Sequence, residues 1–167
     1  MSQSQAVSQA EQLLGKTIPE IAEALASGSV SSVELVKAYQ KRIAQIDRSG
    51  PTLNSVLALN PDAIADAERL DALRKSGKSA GSLHGVPILI KDNIEAKGKL
   101  PTTAGSTALL NNVTDRDSPL VAGLREAGAV ILGKANLSQW ANYRSSFSLS
   151  GWSSVGGQVQ NPHILDR

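Results

Sequence analysis

Two short apolar runs, Val86-Pro-Ile-Leu-Ile90 and Ala129-Val-Ile-Leu132, constrain the fold of this chain more than any other feature. Each is too short for a helix and carries no polar residue at alternate positions, so both read as strands buried on two faces. Such strands need helices to cover them, and helical signals surround them. Thr17-Ile-Pro-Glu20 is a capping box that opens a short helix closed by Gly28. Ser31-Ser-Val-Glu34 repeats the signature ahead of an amphipathic helix to about Asp47. Asn60-Pro61-Asp62 supplies an N-cap, a proline and a first-turn acid for a helix to about Lys75, and Ser118-Pro119 opens another that Gly128 closes. Leu53 to Leu59, bounded by prolines, reads as a further strand, and Asn136 is expected to cap a last helix around Leu137 to Tyr143.

Alternating strands and helices predict an α/β fold with a mixed, mainly parallel sheet flanked by helices. Residues 1–16 are expected to be a polar tail or the start of a first helix, and 17–167 one domain. From about Ser145 the pattern turns to Ser and Gly and reads as loop.

Composition removes several function classes. Lys and Arg total 17 against 15 Asp and Glu, and nothing exceeds short pairs such as Lys41-Arg42, so the basic face of a nucleic-acid binder is not expected. Without cysteine there is no thiolate nucleophile or cysteine metal site, and no metal-ligand spacing occurs; neither a metal nor a cofactor is expected. No apolar run approaches the roughly 20 residues of a membrane span. The polar start, MSQSQAVSQAEQLLGK, is unlike a secretory signal, so a cytoplasmic location is expected.

Lys91 is the sharpest candidate for chemistry. It ends a run of five apolar residues and precedes Asp92-Asn93, and in open α/β sheets ligands collect at the carboxyl ends of strands. A lysine at a partly desolvated site shifts its pKa readily and can serve as a base. The alternative is a solvent-reaching lysine paired with Asp92. Gly128-Ala-Val-Ile-Leu-Gly133-Lys134 nearly matches a phosphate loop, but Ala135 cannot ligate magnesium and the spacer is strand, so the glycines are expected to close a helix and end a strand. Gly151-Trp-Ser153-Ser154 lacks the spacing of a nucleophile elbow. Of the two histidines, His84 suits packing better than catalysis and His163 lies near the chain end.

Three ordered blocks then carry a resemblance: His84-Gly-Val-Pro-Ile-Leu-Ile-Lys91-Asp-Asn-Ile94, Thr102-Thr-Ala-Gly-Ser106, and Gly128-Ala-Val-Ile-Leu-Gly-Lys-Ala-Asn-Leu-Ser138. Together they resemble the amidase signature family, from about Thr17 to the last residue, over the front part of a typical member. Trp140-Ala-Asn142, Ser150-Gly-Trp-Ser153, Gly156-Gly-Gln158 and Asn161-Pro162 look closest to peptide-amidase-like members. The proteins that amidate glutamyl-tRNA usually carry a Met-Asp-Glu-Phe-like block where this chain has Leu137-Ser-Gln-Trp140.

The resemblance implies a Ser-cisSer-Lys triad that hydrolyses carboxylic or peptide amides, with Lys91 as its base and Gly151, Trp152 and Ser153 as substrate-binding residues. Both serines and the oxyanion hole belong to a segment that in relatives begins just after the Asn-Pro matched by Asn161-Pro162. The 167 residues are therefore expected to be a truncated amidase, inactive alone, whose partners would be a small amide substrate and a complementing C-terminal polypeptide. Marginal stability is expected as well, through exposed apolar edges. A non-catalytic binding module or subunit reusing the same front half is the alternative, with an unrelated nucleotide-binding domain behind it.

Overall fold

A computed structural model of the chain describes residues 8–143, 145–147 and 149–164. Three short helices come first: α1 Gln9–Gln12, α2 Ile18–Ala26 and α3 Ser32–Ile46. Each begins at a complete capping box, in which Ser8, Thr17 and Ser31 exchange hydrogen bonds with Glu11, Glu20 and Glu34. Helix α1 lies within residues 1–16, the stretch expected as a polar tail or the start of a first helix. Ala10 enters the core and Lys41 of α3 pairs with Glu11 at 2.6 Å, so residues 8–14 belong to the packed body. Residues 1–7 lie outside the described ones.

Strand β1 (Val56–Leu59) leads into α4 (Ala63–Lys75), β2 (Pro87–Lys91) into α5 (Pro119–Glu126), and α5 into β3 (Val130–Ala135). The sheet order is β1-β3-β2, with β3 parallel to β2 and antiparallel to β1. The direction of β1 is set by Asp47 at the end of α3. Its carboxylate accepts the Ser55 and Val56 amides at 2.7 and 3.2 Å, so β1 starts where β3 finishes. Helix α4 begins later than expected, at Ala63. Asn60 caps nothing there: it donates to the Ile131 carbonyl at 2.8 Å and accepts the Asp62 amide, closing a turn against the sheet.

The central strand is covered on both faces. Val130 and Leu132 pack with Val36, Ala67 and Leu70 of α3 and α4, while Ile131 packs with Val121 of α5 and with Ile90. This is the double burial expected of β3. Strand β2 differs from its expectation, because it forms one edge of the sheet and leaves Leu89 37 % exposed. An apolar run marks a strand without saying which of its edges is covered.

Helices α3 and α4 are joined through Asp71, which is 8 % exposed. Its carboxylate accepts the Ser32 and Val33 amides at 2.8 and 3.1 Å, capping α3 from another helix, and binds Arg74 at 2.7 Å. Burial pushes its pKa up, but the hydrogen bonds outweigh it and hold the group below the ordinary carboxylate value of 3.8. A depressed folded-state pKa means that the unfolded chain takes up the proton first. The stability from Asp71 is thus present above 3.8 and is lost as pH falls through the lower folded value. Asp71→Ala is expected to cost about 2–4 kcal/mol near neutrality, by leaving two amides and Arg74 unpaired, and to flatten this acid dependence; denaturant titrations at several pH values measure both.

Candidate active site

The C-terminal ends of β2 and β3 gather the three sequence blocks. Lys91 closes β2 opposite Ala135, and the Ile94 amide turns back to the Lys91 carbonyl at 2.9 Å. Its side chain is exposed and makes no hydrogen bond or ion pair with the described residues. Asp92 is not its partner. That carboxylate points inward, 1 % exposed, and accepts the Thr103 amide at 3.2 Å, the Gly105 amide at 3.4 Å and the Thr103 hydroxyl. The buried acid therefore fastens the second block to the first, and Lys91 stays free at the strand end.

The third block joins the first through β3, where the Ala135 carbonyl accepts the Asp92 amide at 3.1 Å, and the side chain of the next residue, Asn136, satisfies every bond it can make. It donates to the carbonyls of Asn54 at 2.9 Å and Gly157 at 3.2 Å, and accepts from the Ser153 hydroxyl at 2.7 Å and the Leu137 amide at 2.8 Å. Committed in this way, it does not cap a helix. Residues Gln139–Asn142 form a 3-10 turn in which Trp140, Ala141 and Asn142 all have φ between 51° and 62°. Non-glycine residues avoid that region, and three in succession exclude the expected α-helix. The turn is held by the Trp140 amide on the Ala104 carbonyl (2.9 Å) and the Ser154 amide on Gln139 Oε1 (2.9 Å).

The terminal loop contains a small hairpin, β4 (Trp152–Ser153) with β5 (Gly157–Gln158), that sequence patterning misses because two-residue strands show no periodicity. Of the three expected substrate residues, Gly151 adopts φ 78° and donates its amide to Ser138 Oγ at 2.8 Å. Trp152 is 43 % exposed and, with Trp140, Phe147 and Leu149, lines a surface hollow of about 350 Å³. Ser153 is fully buried between Asn136 and the Gly156 amide, so it anchors the hairpin. Four of the five aromatic residues of the chain, Trp140, Tyr143, Phe147 and Trp152, are exposed on this one loop region. A larger hollow, about 670 Å³, runs beside it along Asn93, Thr102, Leu120 and Trp140.

The residue that sequence reading passes over is Lys134. Its pattern suggests nothing beyond an imperfect phosphate loop, yet it is fully buried and donates to the Ile94 carbonyl at 2.5 Å and Thr102 Oγ1 at 2.8 Å. Gly133 lies inside β3 and does not end it. Burial pulls the Lys134 pKa down, with Asp92 and Glu95 pulling it partly back. Between its folded value and the ordinary 10.5 the unfolded chain binds the extra proton, so this group makes stability rise with pH. Comparing the alkaline stability of the parent chain and Lys134→Met is expected to show that rise only in the parent.

His84 packs as expected, accepting the Ala80 amide on Nδ1 at 2.8 Å and therefore donating from Nε2 to the Leu70 carbonyl at 2.9 Å. Among the described residues no group of three His, Cys, Asp or Glu is placed to hold a metal ion, and no helix is long and apolar enough to cross a membrane.

Comparison with known proteins bears on this arrangement. A family model described as Amidase matches residues 34–167. A probable amidase of Arabidopsis thaliana is 46 % identical over 89 % of this chain and 29 % of its own length. A glutamyl-tRNA(Gln) amidotransferase subunit of Bdellovibrio bacteriovorus is 38 % identical over 90 % of this chain and 29 % of its own. Among solved structures, the native peptide amidase of Stenotrophomonas maltophilia superimposes with a TM-score of 0.87 at 46 % identity, over 91 % of this chain and 31 % of that one. An amidase family protein of Bacillus anthracis gives 0.86 at 39 % identity, over 92 % and 30 %. The chain thus spans about 30 % of the length of such relatives.

Proposed function

Because this chain belongs to the amidase family, we propose that it supplies the base-bearing part of an amide hydrolase site, with Lys91 as the base of a Ser-cisSer-Lys triad. The observation that carries this reading is the free Lys91 side chain at the point where all three sequence blocks meet, paired in register with Ala135 and next to Asp92, which binds Thr103 and the Ala135 carbonyl, so that it is held there by bonds that its own side chain does not make. Such a lysine in its neutral form accepts a proton from a serine that in turn takes the proton of the nucleophile; the nucleophile attacks the amide carbonyl, the C–N bond breaks as the proton passes to the leaving ammonia or amine, and water then hydrolyses the acyl-enzyme. In this reading the serines and the oxyanion donors belong to the part of such relatives that these residues do not span. Trp152 and the adjoining aromatic hollow offer apolar contact to a peptide amide, Gly151 supplies the positive-φ turn that leads into Trp152, and Ser153 acts by holding the hairpin in place. The likeness to the Stenotrophomonas peptide amidase supports peptide amides as the substrate class.

The test joins residues 1–162 to the remaining part of that peptide amidase, directly after the Asn161-Pro162 position. The chimera is expected to release ammonia from a peptide amide, and the 167-residue chain alone is expected to release none. Ammonia release by the isolated chain, abolished in Lys91→Ala, would overturn the division of the site. Specific amide binding by the isolated chain without hydrolysis would favour the binding-module reading instead.

A further inference from the structure

Lys134 has the largest side chain among the fully buried described residues, and among those residues no carboxylate lies within ion-pairing distance of it. Its titratable neighbours are both engaged elsewhere: Asp92 with Thr103 and Gly105, and Glu95 with Arg116 through bonds of 2.7 and 3.1 Å. Burying an unpaired ammonium is costly, and an apolar side chain of similar reach would serve packing as well or better. What a lysine adds at this position is charge and directed N–H donors. As a neutral amine it keeps two N–H groups, one for each of its two acceptors.

The backbone explains how it reaches them. The β2–β3 register passes from Ile88↔Ile131 to Leu89↔Gly133, so Leu132 has no partner in β2 and β3 bulges there. A bulge reverses which face the following residues point to. Lys134 consequently lies alongside Ile90 on the α5 face, where Ile94 packs, and not with Leu132 on the α3 and α4 face. There it ties together the residue that closes the turn after Lys91 and the residue that opens the Thr102–Ser106 segment.

We propose that Lys134 is a positioning residue: from the central strand it fixes the Lys91–Ile94 turn against Thr102, and so sets where the Lys91 ammonium stands. The inference rests on Lys91 being the base, but its local part concerns only the segment from Asp92 to Gly105.

The experiment uses the whole 167-residue chain and its Lys134→Met and Thr102→Val variants. Residue-resolved amide exchange is expected to accelerate about tenfold at Ile94, Thr103 and Gly105 in Lys134→Met, equivalent to about 1.4 kcal/mol of local opening, while the β2–β3 ladder keeps its protection. In the same sample the rate at which an activated ester acylates Lys91 is expected to change severalfold relative to Lys75 and Lys78. Thr102→Val, which leaves the lysine in place and removes one acceptor, is expected to show the same pattern more weakly and carries the test if Lys134→Met does not fold. Unchanged exchange and unchanged Lys91 acylation would overturn the proposal, as would protection lost evenly over the sheet. Failure of the base reading is distinguishable, because it would leave the exchange pattern intact while Lys91→Ala left the chimera active.

Discussion

Lys91→Ala in the chimera with the Stenotrophomonas peptide amidase is expected to lower kcat for a peptide amide by about a thousandfold or more, because under the proposed function it removes the base that starts a proton relay. The surrounding geometry makes this a clean measurement. Lys91 holds no partner among the described residues, and the turn beside it is fastened by Asp92, Lys134 and backbone bonds. Its removal is therefore expected to move the melting temperature of the isolated chain very little, within the roughly 0.5 kcal/mol typical of surface substitutions. A chimera whose kcat survived Lys91→Ala would show that the exposed lysine at the end of β2 is not the base. A large fall in stability would show that it supports the fold, contrary to its lack of contacts.

The second large effect concerns packing. Gly133→Ala is expected to destabilise the chain by about 3 kcal/mol or more, since a side chain there would collide with the Ala58 carbonyl oxygen and stand 3.1 Å from Leu59 Cα. Both are backbone atoms of β1, so only separation of the two strands relieves the clash. Gly123→Ala provides the contrasting result. Gly123 lies exposed within α5 with open space around it, and the same substitution there is expected to stabilise by about 0.5–1 kcal/mol through helix propensity. Denaturant midpoints of the two variants test whether close approach of β1, and not glycine itself, decides the cost. Equal shifts would exclude that account.

Much of the architecture is legible because it is encoded locally. The capping boxes at Thr17 and Ser31 open helices where expected, since the reciprocal bonds involve only residues three apart. The pairing of α5 with Gly128 follows from a proline at one end and a glycine at φ 88° at the other. Asn60 and Asn136 depart from expectation for one reason: an asparagine that looks like a cap is free to serve a distant carbonyl, and here Ile131, Asn54 and Gly157 supply them. The left-handed run at Trp140–Asn142 is equally unreadable, because bonds from Ala104 and Ser154 hold it against local preference.

The two lysines divide what sequence settled from what it did not. Lys91 and Lys134 carry the same signal, a cation at the end of an apolar strand, and the sequence with its three blocks determined the family and made Lys91 the proposed base. Only the tertiary structure decided that β2 is an edge strand whose lysine meets solvent, and that β3 is central with a bulge that turns its lysine into the core. Strand order and register arise from pairings between residues far apart in the chain, such as Ile90 with Lys134, which no local pattern in either strand records.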